Sequence, residues 1–261
     1  MFTRKCEGEN LMVADVLLVE DLEGFDRQFR DIFGEVDRFA KFGDLVASKK
    51  RGWSYAFVDF DLEDEATGFS VLDYLHEHSP GTKIVIYTAL TENGRALFAM
   101  AARHWYNVWA VREKHGCTDD VLIAVRDEGR NPSIDRTNEI LDRESWRIDT
   151  LFPQFDSVKL WSVWVEYGGS TRSIADAFKY FTRTQNDKFG TQVTAAILEM
   201  RIHIGALLGQ RSTPVPAVGG KRTDNKVITT TFVQANSAFF HAGDLERVVS
   251  RVRPWESESN R

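Results

Sequence analysis

Tyr55-Ala56-Phe57-Val58-Asp59-Phe60-Asp61 is the stretch around which the rest of the chain is read. Its apolar run is too short for a helix and ends in carboxylates, so it reads as a buried strand feeding an acidic loop that closes at Gly68. In open α/β sheets chemistry sits at the carboxyl ends of the strands, where a carboxylate faces solvent, a metal or a phosphate. Asp59 is therefore the first candidate residue. Taken alone, Asp59 and Asp61 could equally begin a polar loop, and only the neighbouring elements separate the two readings.

Upstream, Val16-Leu17-Leu18-Val19 is a second apolar run that ends in acids, Glu20-Asp21. Phe25, Phe29, Ile32 and Phe33 then recur at helical spacing, and Gly34 stands where a helix would stop. A strand over Val36 to Phe42 and a short helix around Asp44 to Lys50 precede the Asp59 strand. Downstream, Phe69, Leu72 and Leu75 mark a helix ending before Pro80-Gly81, and Lys83 to Thr88 reads as a strand that ends in a hydroxyl. A helix from Gly94 to His104, a strand at Val108-Trp109-Ala110-Val111 with Lys114 beyond it, and a helix over Val121 to Val125 complete the alternation. Strands alternating with helices need crossover connections, which predicts an α/β fold: a five-stranded doubly wound parallel sheet. Such a sheet gathers Glu20, Asp21, Asp59, Thr88 and Lys114 at one edge. Three carboxylates suit Mg²⁺ and phosphate oxygens. One of them can attack a phosphoryl group while Thr88 hydrogen-bonds and Lys114 neutralises its oxygens, with Arg112 as a second candidate cation.

The residues Val19-Glu20-Asp21, Val58-Asp59 with Gly68, Thr88-Ala89 and Lys114 resemble the receiver domain of bacterial two-component response regulators, over about residues 14 to 127. The resemblance implies Asp59 as the phosphoacceptor, Asp21 as a direct Mg²⁺ ligand and Glu20 as its outer acidic partner. It implies that Asp61 lends its backbone carbonyl to the metal, that Thr88 is the switch hydroxyl and that Lys114 binds phosphate. It also implies a sensor histidine kinase as phosphodonor and a population shift between two packings near Thr88. Glu63 and Asp64 stand where the family commonly has a proline, and Val111 holds the position of its aromatic switch. Two rival readings stay open. One is a pseudo-receiver gated by a ligand or protein partner without phosphorylation. The other is a haloacid-dehalogenase-like phosphatase, with Asp59 as nucleophile and an acid from Asp119-Asp120. Against the phosphatase, a full strand with its own acids precedes Asp59, and Asp119-Asp120 look like the charged start of a helix.

Charge divides the chain. Residues 1 to 129 hold 15 Lys+Arg and 24 Asp+Glu, a balance of -9, whereas residues 130 to 261 hold 18 and 15, a balance of +3. An acidic regulatory half joined to a mildly basic one is the charge pattern of a regulator with a nucleic-acid-binding module. The 43% of hydrophobic residues can build cores, while no apolar run reaches the roughly 18 residues of a membrane helix. Met1 to Asn10 is too polar for a secretory signal, so a soluble cytoplasmic protein is expected. Cys6 and Cys117 lack partners at metal spacing and read as free thiols.

The expected order of parts is a lead-in over 1–13, the receiver-like sheet over 14–129 and a linker helix over 130–150 that serves as spacer, dimer contact or packing helix. A mainly α-helical segment over 151–211 and a loop, strand and helix over 212–261 follow. In 151–211, Trp164 to Gly169, Ser170-Thr171-Arg172, Ile174-Ala175-Asp176 and a third apolar helix with Ile197, Met200 and Ile204 resemble a divergent LuxR-type helix-turn-helix output domain. That third helix would present Lys188, Thr191 and Gln192 to a major groove, with Arg172, Arg183 and Lys188 available to phosphates. In the tail, Val227 to Val233 alternates as a strand would, and its unpaired edge must pair with the body or with another subunit. Together with the two half-sites that such regulators read, this predicts a homodimer. The function expected is that of a DNA-binding transcriptional response regulator, not a metabolic enzyme.

Overall fold

The computed structural model describes residues 15–62, 66–115, 117–127, 132–152, 157–167, 197–205 and 225–252. Short apolar runs form strands β1 (Val16–Val19), β2 (Val36–Phe39), β3 (Tyr55–Val58), β4 (Lys83–Thr88) and β5 (Ala110–Glu113). They pair in parallel in the order β2-β1-β3-β4-β5, with Val19 opposite Val58 and Val58 opposite Ile86. The crossovers are α1 (Phe25–Phe33), α2 (Phe42–Ser48), α3 (Gly68–His78) and α4 (Arg95–Tyr106), and α5 (Asp119–Arg126) follows β5. This is the expected α/β sheet. Because the chain winds outward from β1 to β2 and then returns past β1 to β3, the switch point lies between β1 and β3.

Alternation along the strands builds two cores. Val16, Leu18, Phe57, Val85, Tyr87 and Ala110 meet Phe29 of α1 and Leu122 and Val125 of α5. Leu17, Val19, Ala56, Val58, Ile86 and Val111 meet α3 and α4 on the opposite face. Strands buried on both faces read as unbroken apolar runs, which explains their legibility.

The face covered by α3 and α4 has a second helical layer. Its parts are α6 (Pro132–Glu144), a 3₁₀ helix (Ser145–Leu151), α7 (Ser157–Tyr167), α8 (197–205), α9 (Asn225–Ala235), α10 (Ser237–Phe240) and α11 (Leu245–Val252). Every residue of α4 from Ala96 to Ala102 is buried, as befits a helix that is apolar all round. The sheet lies on one side, and Leu141, Ile148, Phe152 and Phe239 join the same core from the other. The segment expected as a linker helix therefore packs on the sheet unit: Arg103 of α4 pairs with Asp142, and Trp105 Nε1 donates to Asp149 at 2.8 Å.

Two expectations are corrected. The fifth strand, Ala110–Glu113, begins two residues later than its apolar run suggested; Trp109, 36% exposed against Tyr55 and Lys83, leads into it and donates its N–H to the Ile84 carbonyl at 2.9 Å. The tail strand is a helix. Neighbouring Phe232 and Val233 are both buried, which a strand with one buried face forbids, and burial continues at Asn236, Phe239 and Phe240 in helical steps. The β-branched run that suggested a strand yields to tertiary burial. Among the described residues no helix is long and apolar enough to cross a membrane.

Candidate functional site

The ends of the central strands carry the site. Glu20 N–H donates to the Phe39 carbonyl and Asp59 N–H to the Val19 carbonyl, both at 3.0 Å, so the two acids leave adjacent strands side by side. Thr88 closes β4, and the Lys114 N–H donates to its carbonyl at 3.1 Å. Three of the predicted residues, Glu20, Thr88 and Lys114, thus meet around a fourth, Asp59, which is only 2% exposed.

Asp59 Oδ1 accepts from the Thr88 hydroxyl at 2.6 Å and from the Phe60 N–H at 2.7 Å. Its Oδ2 accepts from Lys114 Nζ at 2.6 Å, and the same ammonium lies 2.6 Å from Glu20 Oε2. Of the two cations that the sequence offered, Lys114 reaches Asp59, whereas the Arg112 guanidinium donates to the Val111 carbonyl at 2.7 Å. Burial raises the Glu20 carboxyl to about 7, although Lys114 pulls against that shift. Glu113 helps to fix the edge by accepting the Leu90 N–H at 2.8 Å just beyond Thr88.

One oxygen each from Glu20, Asp21 and Asp59 lies within 4.8 Å of the others, so the cluster could hold a metal ion. All three donors are carboxylate oxygens, the hard type that suits a divalent cation, which would share Glu20 and Asp59 with the Lys114 ammonium. The Asp61 side chain has a partner of its own. Asp61 pairs with Thr67 through the backbone, and its carboxylate accepts from Arg95 Nη2 at 2.6 Å. Burial raises the Asp61 carboxyl, with Arg95 opposing. Gly68 is required by crowding: a Cβ there would stand 2.5 Å from the Asp59 carbonyl oxygen and 2.6 Å from Phe98.

Arg95 is the residue that the strand-end reading missed. Its Nη1 lies 3.1 and 3.2 Å from the two Asp59 carboxylate oxygens and 3.3 Å from the Thr88 hydroxyl. A signal was present in the sequence. Arg95 opens α4, where the helix dipole disfavours a cation unless anions surround it, and Asp59, Asp61 and Glu92 are those anions.

The predicted DNA-facing residues, Arg172, Arg183, Lys188, Thr191 and Gln192, lie outside the described residues. Residues 197–205, expected at the end of the third helix of that segment, form α8, with Ile197 and Met200 buried. Asp119 and Asp120, the candidate acids of the phosphatase reading, open α5, and Asp119 accepts from Gln28 at 2.9 Å. Compared with models of known protein families the chain matches none, and no curated protein matches it either.

Proposed function

We propose that the protein is a phosphoryl-accepting regulator: Asp59 takes a phosphoryl group from the phosphohistidine of a sensor kinase, and the helical C-terminal part carries the output to DNA. The observation that carries this reading is the convergence of Asp59, Thr88 and Lys114 beside two further acids at the switch point of the sheet. An Asp59 oxygen forms the new O–P bond as the donor N–P bond breaks, and the leaving imidazole keeps the bonding pair. The Lys114 ammonium and the Thr88 hydroxyl stand where the transferred oxygens arrive. Glu20, Asp21 and Asp59, with the Asp61 carbonyl, would hold Mg²⁺, which supplies charge neutralisation to the phosphoryl group when bound. The regulator would act in the cytoplasm as a homodimer on two half-sites, and the charge balance of +3 in residues 130 to 261 supports the DNA part.

A second reading has a specific observation behind it. Both oxygens of Asp59 are already engaged by two cations, as suits a pseudo-receiver that a ligand or partner opens without phosphorylation. Incubation with Mg²⁺ and a small phosphodonor, followed by mass spectrometry, separates the readings. A gain of one phosphoryl group at Asp59, absent from Asp59→Asn, is expected. No modification at any donor concentration would leave the pseudo-receiver, and continuous release of phosphate would favour the phosphatase.

A further inference from the structure

We propose that Arg95 is a gate over Asp59 and that the C-terminal segment from Ser237 to Asp244 is its latch. The proposal rests on the reading of Asp59 as the group that takes up a ligand, and it adds how access to that group is controlled. Among the described residues Arg95 is the one side chain within hydrogen-bond distance of both oxygens of Asp59, at 3.1 and 3.2 Å, so anything that joins Asp59 must displace its guanidinium or be met by it. Its other nitrogen is anchored outward, 2.6 Å from Asp61 and 3.1 Å from Glu92.

The two residues before Arg95 are held from the other side. Asn93 Nδ2 donates to the Ser237 hydroxyl at 2.8 Å, and the Ala238 N–H donates back to Asn93 Oδ1 at 3.2 Å. Gly94 has φ +75°, and a Cβ on it would stand 2.6 Å from the Phe239 nitrogen, so α10 rests directly on this backbone. The loop on the opposite flank of Asp59 is built the same way. Gly68 presses on the Asp59 carbonyl, while Thr67 before it and Ser70 beyond it each donate to Asp244 at 2.8 Å. Each loop therefore has one residue on Asp59 and its neighbours on the segment from Ser237 to Asp244. Beneath them the Phe60 ring packs tilted against Phe98 at 4.6 Å, and Phe69 contacts both Phe98 at 4.9 Å and Phe239 at 6.1 Å.

Coupling through shared residues is reciprocal. A ligand on Asp59 that draws Arg95 away loosens the seat of α10, and loosening that seat frees Arg95 and opens Asp59. The test compares the full-length wild type with Arg95→Gln and Asn93→Ala by hydrogen exchange over Ser237 to Asp244, and by the rate of Asp59 modification with Mg²⁺ and acetyl phosphate. Arg95→Gln, with no donor present, is expected to speed exchange in that segment by about tenfold, the size of one or two hydrogen bonds. Asn93→Ala is expected to do the same and also to speed modification by about fivefold or more, being remote from the carboxylate itself. Asp61→Asn, which removes the charge of one of the two outer anchors, should act in the same direction with smaller size and serves should Arg95→Gln fail to fold. Unchanged exchange in both Arg95→Gln and Asp61→Asn would overturn the gate. Absence of modification in every protein would overturn the phosphoacceptor reading instead, and the exchange measurements would still decide the gate.

Discussion

Two regions meet at Asp59 and Phe60 and satisfy burial in opposite ways. On one side of that peptide runs an aromatic stack, from Phe60 through Phe98 and Phe69 to Phe239, Phe240 and Trp161, with centroid separations of 4.6 to 6.1 Å. On the other side Glu20, Asp59 and Lys114 are nearly withdrawn from water. Burying the rings is favourable by about 25 cal/mol per Å² of apolar surface. Burying the ions is not, because the lost hydration of each charge rivals the attraction gained. The stack is thus a reason for the fold, whereas the ionic pocket is something that the fold tolerates and that requires a functional explanation.

The contrast is sharpest where each region is truncated. Phe98→Ala removes a ring from the middle of the stack and should cost about 3–5 kcal/mol in urea unfolding. A cost below about 1 kcal/mol would mean that the two helical layers are not packed through α4.

Removing a charge from the pocket should do the reverse. Folded Glu20 keeps its proton to about pH 7, while an unfolded glutamate releases it near its ordinary 4.5. The folded state therefore binds more protons between these values, and stability falls as pH rises through that window, by up to about 3 kcal/mol. Glu20→Gln removes this dependence and leaves Lys114 paired with Asp59, so the variant should equal the wild type near pH 4.5 and exceed it at pH 8. Melting temperature measured against pH decides it. A wild-type profile that is flat from pH 4.5 to 7 would show that Glu20 is ionised throughout and that the pocket is not the costly region.

The same contrast explains what could be read from the sequence. The strands and their terminal residues were legible because a strand buried on both faces is an unbroken apolar run, and the residue that ends it lies at the sheet edge whatever surrounds it. Glu20, Asp59, Thr88 and Lys114 follow from that rule. Arg95 does not, since it belongs to a helix start and is explained only by anions contributed from elsewhere. The second layer was illegible for a related reason. The alanines of α4 could face any neighbour, and Val227 to Val233 showed a β-branched alternation whose meaning depends on which residues find cover. Phe232 and Val233, adjacent and both buried, settle the helix only once their surroundings are known.

Asn138 belongs to neither region and should show the smallest effect. It lies on α6, in the stretch read as a linker, and its side-chain oxygen accepts the Val111 N–H at 3.0 Å on β5, the outermost strand of the sheet. An edge strand offers unpaired amides to any passing chain, and a side-chain acceptor laid over one of them closes that route. Asn138→Ala exchanges a neutral hydrogen bond for water and should cost about 1 kcal/mol, with faster amide exchange at Val111 and a greater tendency to self-associate on warming. Asn138→Asp retains the acceptor and should restore the protection at Val111. Were Val111 equally protected in Asn138→Ala, the edge would owe its cover to the apolar packing of α6 through Leu141, and the second layer would guard the sheet by burial alone.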